Sequence, residues 1–216
     1  MVENKLVESI FGWIGFTIST YFYFSPVVPF IKVVKGEIKY KDAPFILLLC
    51  NIMNCMLWID YGLIKNAFVL YFTCVIGGAI TLIWITIYLI FFAKKIFFIG
   101  LLLNLLLMGL VFGITYIFYI INIEITGYVA LVFNLLMLIA PGEKIFTVIK
   151  TGKYELIPIF STIGSLLCSG CWLMFGIYQN DIKLIIPNGL GLFFGIFQIL
   201  VYYIYYKKRK KELMDI

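Results

Sequence analysis

Two tryptophans, one asparagine and one cysteine have the types and spacing to hold a solute. Trp172 and Asn188 stand on consecutive apolar stretches joined by a short polar loop, in the run CWLMFGIYQNDIKLIIPNGLG from Cys171 to Gly191. An indole offers a flat apolar face, and a primary amide offers two donors and an acceptor. Together they can read something both flat and hydroxylated. The arrangement occurs twice. Trp58 precedes Trp172 by 114 residues, and Pro44, Gly62 and Gly77 precede Pro158, Gly176 and Gly191 by the same interval, without a gap. The mismatch in this repeat is Cys74, which stands where the second copy has Asn188. The chain has no His, which removes imidazole bases and imidazole metal ligands. Its five cysteines (Cys50, Cys55, Cys74, Cys168, Cys171) are odd in number and lack zinc spacing, so they read as small buried hydrophobes. No nucleophile and base pair is visible. The expectation is therefore a protein that is not an enzyme and needs no cofactor or metal.

The elements that position these residues lie in a membrane. Of 216 residues, 63% are hydrophobic and 13% charged, with a mean hydropathy of +1.07. Soluble domains carry roughly 25% charged residues. Seven stretches approach the ~20 apolar residues that cross a bilayer: Ile10–Val34, Pro44–Ile64, Phe68–Ala93, Ile96–Ile121, Gly127–Ile149, Ile157–Tyr178 and Leu184–Tyr206. The first is too long for a signal peptide and lacks a clean cleavage site, so it reads as a retained helix. The net charge of +6 does not indicate nucleic acid, because the charges lie in short loops between apolar runs. Lys32, Lys35, Lys39, Lys41, Lys94, Lys95, Lys144, Lys150, Lys153 and the run Lys207, Lys208, Arg209, Lys210, Lys211 fall on one side; Lys5, Lys65 and Lys183 fall on the other. The positive-inside rule then predicts a cytosolic C-terminus and an outside N-terminus. The expected setting is a multi-pass protein of the plasma membrane, with the lipid bilayer as its surroundings.

The repeat dictates the topology. Segments 2 and 3 match segments 6 and 7, and Pro26 matches Pro141 at an offset of 115. Segment 4 has no counterpart. A second copy of three helices joined directly would be inverted, and one extra crossing restores its direction. The predicted fold is all-α: two parallel three-helix bundles joined by a linker helix, related by an axis along the membrane normal. The boundaries fall at 8–93, 94–123 and 124–206, with a basic cytosolic tail at 207–216. Such halves, facing each other, place a solute site near the midplane.

Four prolines occupy matching places. Pro26 and Pro141 fall within helices, where a proline frees a carbonyl and kinks the axis. Pro44 and Pro158 begin helices near the cytosolic side. They read as hinges of an inner mouth. Trp58 and Trp172 lie about 20 Å along their segments, at a depth that favours the bundle interior over the interface. Asp60 is the sharpest anomaly, since a carboxylate at the centre of a membrane helix costs about 2.5–3.5 kcal/mol. The basic tail reads as a stop-transfer and headgroup patch.

These residues resemble a family. SP in the first segment, AP…LWIDYG in the second, the second P…WLMFG, then D-x6-N-x-x-G and Gln198 are similar to the SWEET sugar transporters along nearly the whole chain. The resemblance implies facilitated, bidirectional movement of mono- or disaccharides by alternating access, with a small sugar as partner. It implies an inner gate at Pro26, Pro44, Pro141 and Pro158, with Gln198, and an outer gate at Tyr61 and Asp181. Its pocket falls on Trp58 and Trp172 with an Asn in each half. Here one is Asn188, and Cys74 takes the place of the other. Asp60 is a second departure, from an aromatic. Two further readings compete. A proton-coupled amino-acid exporter of the PQ-loop type draws on Asp60 but lacks the Pro-Gln pair, having Pro26-Val27 and Pro141-Gly142 instead. A receptor of the same fold requires a charged pocket. A second copy of the chain is a further candidate partner.

Overall fold

The computed structural model describes residues 2–39, 45–91, 97–121 and 123–214. Pro44, Lys94 and Lys95 lie outside the described residues. Among those described, every regular element is helical: α1 (Val2–Tyr23), α2 (Val27–Val34), α3 (Phe45–Ile64), α4 (Phe68–Phe91), α5 (Phe97–Ile121), α6 (Ile123–Met137), α7 (Ile139–Thr151), a 3-10 turn (Tyr154–Leu156), α8 (Ile159–Gln179) and α9 (Ile182–Met214). Two pairs are single apolar spans broken once. Lys5–Val34 takes in α1 and α2, and Glu124–Thr151 takes in α6 and α7. With α3, α4, α8 and α9 they give six stretches long and apolar enough to cross a membrane, and α5 adds a shorter apolar one, Phe97–Gly113. Seven helical segments result, as the apolar pattern predicts.

The two breaks follow from proline. Pro26 has no N–H to return to Phe22, and Ser25 N–H takes that carbonyl instead at 2.9 Å. The helix stops in a turn over Phe24–Pro26, and Pro26 becomes the N-cap of α2. The expectation of a kink inside one helix is thus met by a full interruption. In the second copy the break falls at Leu138, ahead of Pro141, which lies in the first turn of α7.

By compactness the chain forms two units. One contains Ser19–Ala130, the other Met1–Ile18 with Leu131–Ile216. In the first, α3 and α4 form a hairpin against which α5 packs. In the second, α8 and α9 form a hairpin, with α7 and the 3-10 turn against α9. Its core at one end is Ile145, Val148, Ile157 and Val201, packed by Phe194, Tyr202 and Tyr205. α9 has 33 residues, about 50 Å, longer than a hydrocarbon core, so its basic last turns emerge into the headgroup region.

The hairpins are built alike. Each turns on an asparagine in the left-handed region, Asn66 at φ 53° and Asn180 at φ 54°, a conformation Asn adopts more readily than other side chains. Ala67 N–H donates to Gly62 O at 2.8 Å, and Asp181 N–H to Gly176 O at 2.9 Å. A Cβ added at Gly62 would lie 2.9 Å from Tyr71 Cβ and 3.0 Å from Tyr71 N; one at Gly176 would lie 2.8 Å from Leu184 Cβ and 3.2 Å from Ile185 N. Each glycine therefore lets its helix meet the next at backbone distance.

Candidate functional site

In the first unit, Trp58 and Tyr61 share a face of α3. Both are buried, Tyr61 completely, and their rings meet edge-on with centroids 5.7 Å apart at 78°. Lys65 sits 5.9 Å from the Tyr61 ring centre and pairs with Glu124 at 2.6 Å. Cys74, on α4, is buried, as is Cys55 of α3. Cys55 Sγ donates to Tyr23 Oη at 3.9 Å. The Tyr23 ring lies where a Cβ on Gly77 would fall, so Gly77 is the notch that admits this aromatic to α4. A chain of polar bonds runs on toward the end of the hairpin away from its turn: Asn51 Nδ2 donates to Thr81 Oγ1, which donates to Gly77 O, each at 2.7 Å. Asp60 is half-buried on α3.

Three residues of this unit were not singled out from the sequence. The Asn54 Oδ1 and Thr20 Oγ1 atoms are buried and have no hydrogen-bond partner among the described residues. Asn54 lies one turn before Trp58, on the same face of α3. Buried polar groups are normally satisfied, and Asn104 Oδ1 and Thr126 Oγ1 of the same unit likewise lack a partner among the described residues. The third is Trp84, whose Nε1–H donates to Tyr23 O at 2.9 Å. That carbonyl has lost its helical partner, because Val27 N–H turns to Phe24 O at 3.1 Å. The indole thus closes the account at the proline break. Only the three-dimensional approach of α4 to the end of α1 reveals this.

The second unit repeats the aromatic couple. Trp172 and Phe175 are buried, and their rings meet edge-on at 5.3 Å and 77°. Gly15 of α1 faces the Trp172 indole, with an added Cβ only 3.1 Å from its Cε2. Asn188 is half-buried on α9 and gives one N–H to Leu184 O at 2.8 Å. Asp181 is buried and caps α9, its Oδ1 accepting from Lys183 N–H at 3.1 Å. Gln198 is buried and accepts from Thr162 Oγ1 at 3.3 Å; Thr162 N–H in turn bonds Pro158 O at 2.9 Å. Gln198 is therefore tied to the turn that Pro158 begins. It stands 114 residues after Trp84, so both copies place a polar bond from the last helix of the repeat near a proline. No cluster suited to a metal occurs among the described residues.

Comparison with known proteins follows the duplication. The family model MtN3_slv, "Sugar efflux transporter for intercellular exchange", matches residues 9–96 and again 124–210. The chain belongs to the SWEET family. A bidirectional sugar transporter SWEET7b of Oryza sativa subsp. japonica is 29% identical over 236 residues, covering 99% of this chain and 85% of its own. Bidirectional sugar transporter SWEET10 of Arabidopsis thaliana is 27% identical over 222 residues, covering 98% and 75%. The 3.7 Å structure of a eukaryotic SWEET transporter superposes with a TM-score of 0.82 at 22% identity, over 94% of this chain and 99% of that one. The SWEET fold is thus the fold of this multi-pass membrane protein.

Proposed function

We infer that this SWEET-family protein carries sugars across a membrane in both directions, by facilitated diffusion with alternating access. The observation that carries the reading is the paired aromatic couple. Trp58 with Tyr61, and Trp172 with Phe175, recur with nearly the same geometry in the two hairpins of a chain whose relatives are named bidirectional sugar transporters. Indole faces suit the apolar C–H faces of a sugar ring, and amides suit its hydroxyls. The substrate is a mono- or disaccharide held by Trp58, Cys74, Trp172 and Asn188, joined by Asn54 and Thr20. Tyr61 and Asp181 form the outer gate. Pro26, Pro44, Pro141, Pro158 and Gln198 form the inner gate. Support for the inner gate comes from the interruption at Pro26 and the bonds made beside it and beside Pro158. The repeats span 8–93 and 124–206 around a linker helix at 94–123. The N-terminus lies outside, the C-terminus in the cytosol, and the host is the plasma membrane.

Counterflow in proteoliposomes with a panel of sugars and amino acids tests this. Saturable exchange of glucose or sucrose, unchanged when the proton gradient is collapsed, is the expected result. Exchange of amino acids driven by the proton gradient would replace it with the exporter reading, which the half-buried Asp60 favours. Loss of coupling in Asp60→Asn would then identify the proton carrier.

A further inference from the structure

The second unit has a cavity away from the aromatic couple. α7 ends at Gly152, whose φ of 72° turns the chain back so that Lys153 and the 3-10 turn return against α9. The Tyr154 ring meets Tyr202 and Tyr206 edge-on at 5.3 and 5.5 Å. Tyr205 Oη donates to Ile149 O at 3.1 Å, pinning α9 to the last turn of α7. Between these walls lies a cavity of about 530 Å³, lined by Lys153, Tyr154, Glu155, Tyr205, Lys208 and Arg209. Three cations face one carboxylate, and they come from two elements, the α7–α8 connection and α9.

The basic run of α9 does not act as one undivided patch. Lys208 and Arg209 line the cavity, whereas Lys207 lies over the Tyr203 ring at 4.9 Å and Lys210 and Lys211 are outside the lining. A stop-transfer signal needs cations anywhere past the span. It does not need two of five gathered with Lys153 around a cavity whose walls are fixed by ring contacts. The negative end of α7 accounts for a lysine near Thr151, but not for the pair supplied by α9.

We propose that this cavity binds the phosphate ester of a polyhydroxylated ring. A phosphate presents tetrahedral oxygens that cations on two sides reach at once, and a guanidinium pairs with two of them. A lone phosphate is small for this volume, which lies in the range of pockets that enclose ring-sized ligands. The aromatic walls, Tyr154 and Tyr205, suit such a ring. Two sources share this chemistry: the inositol phosphate headgroup of a membrane lipid, and a soluble sugar phosphate. Neither is the transported sugar, and the assignment does not depend on the transport reading.

The test uses full-length protein and two double variants of equal charge loss. Lys153→Gln with Lys208→Gln removes two of the three cations that line the cavity and leaves Arg209; Lys210→Gln with Lys211→Gln removes the same charge outside it. All four lysines are exposed, so both variants should melt like the parent. Glucose 6-phosphate and inositol trisphosphate are titrated calorimetrically into protein in phosphatidylcholine nanodiscs. Retention of phosphatidylinositol 4-phosphate by detergent-purified protein is read by native mass spectrometry. The cavity variant should weaken binding about tenfold or more, and the tail variant by less than about threefold. Binding of glucose 6-phosphate on this pattern identifies a soluble sugar phosphate; the pattern with inositol trisphosphate or the lipid, and not with glucose 6-phosphate, identifies a headgroup. Absence of binding by every probe, or equal weakening in the two variants, overturns the proposal.

Discussion

Replacing Trp84 by Phe removes one hydrogen-bond donor and little else. The ring that contacts Phe30, with centroids 5.2 Å apart at 57°, is kept as an aromatic of smaller size. What disappears is the 2.9 Å bond to Tyr23 O. That carbonyl cannot recover its helical partner, because Val27 N–H is committed to Phe24 O and Pro26 has no N–H to give. Side-chain hydrogen bonds between membrane helices are worth about 0.6 kcal/mol on average, while an unsatisfied buried acceptor costs about 1–3 kcal/mol. The part-buried setting places the expected loss near 1 kcal/mol, roughly a fivefold shift in an equilibrium constant. Melting of the purified protein in detergent should show the loss. Counterflow should show a changed exchange rate at an unchanged half-saturating sugar concentration, because the bond lies at the proposed inner hinge and not at the binding residues. Trp84→Leu separates the ring from the donor and should cost more. Unaltered melting and unaltered exchange in Trp84→Phe would refute the claim that the indole latches the proline break.

Asn188→Ala should reduce sugar exchange by an amount corresponding to about 0.5–1.5 kcal/mol, with membrane insertion intact; normal transport by the folded variant would remove this amide from the binding set. Gly62→Ala and Gly176→Ala should each destabilise by about 1–3 kcal/mol, since the added methyl meets backbone of the facing helix, and melting temperatures of the two variants check this. Cys74→Asn should strengthen sugar binding, read by titrating intrinsic tryptophan fluorescence; loss of stability without any gain in affinity would make Cys74 a packing residue. Tyr154 has a phenol raised above its ordinary value of 10.0, by burial first and then by the neighbouring Glu155 carboxylate. The neutral form is thus the one the fold favours, so its contribution is complete below pH 10 and is lost as pH rises through the folded value. A difference spectrum between the protein and Tyr154→Phe should show a phenolate appearing only above that range.

The spans were legible because a membrane permits few alternatives: each backbone polar group must be satisfied within its helix, so apolar length alone marks the crossings. The repeat was legible at Trp58 and Trp172, whose burial follows from their depth. Other features depend on partners that no spacing reveals. Pro26 was readable as a disturbance, but whether it would bend the helix or end it depended on where the Tyr23 carbonyl could find a donor, and Trp84 answers that from another helix. Cys74 was readable as a mismatch, but the bond of Cys55 to Tyr23 was not readable at all. The orphan atoms of Asn54 and Thr20 are invisible in a sequence, because a polar residue in an apolar run becomes informative only when its neighbours are known. Asn66 and Asn180 were in view at the repeat interval and could have been read as the shared turn.

The matched turns bear on how the chain is made. Each hairpin closes on an asparagine and a few local hydrogen bonds, so α3 with α4, and α8 with α9, bury their own contacts without waiting for distant segments. A ribosome delivering this chain to a membrane therefore presents two pre-paired helical wedges. With the proposed outside N-terminus, only the short polar tip of each must pass the hydrocarbon, carrying Lys65 and Asn66 in the first and Asn180 and Asp181 in the second. An error in one wedge leaves the other able to form. Truncated nascent chains ending after residue 91 should already contain the first in protease-protected form.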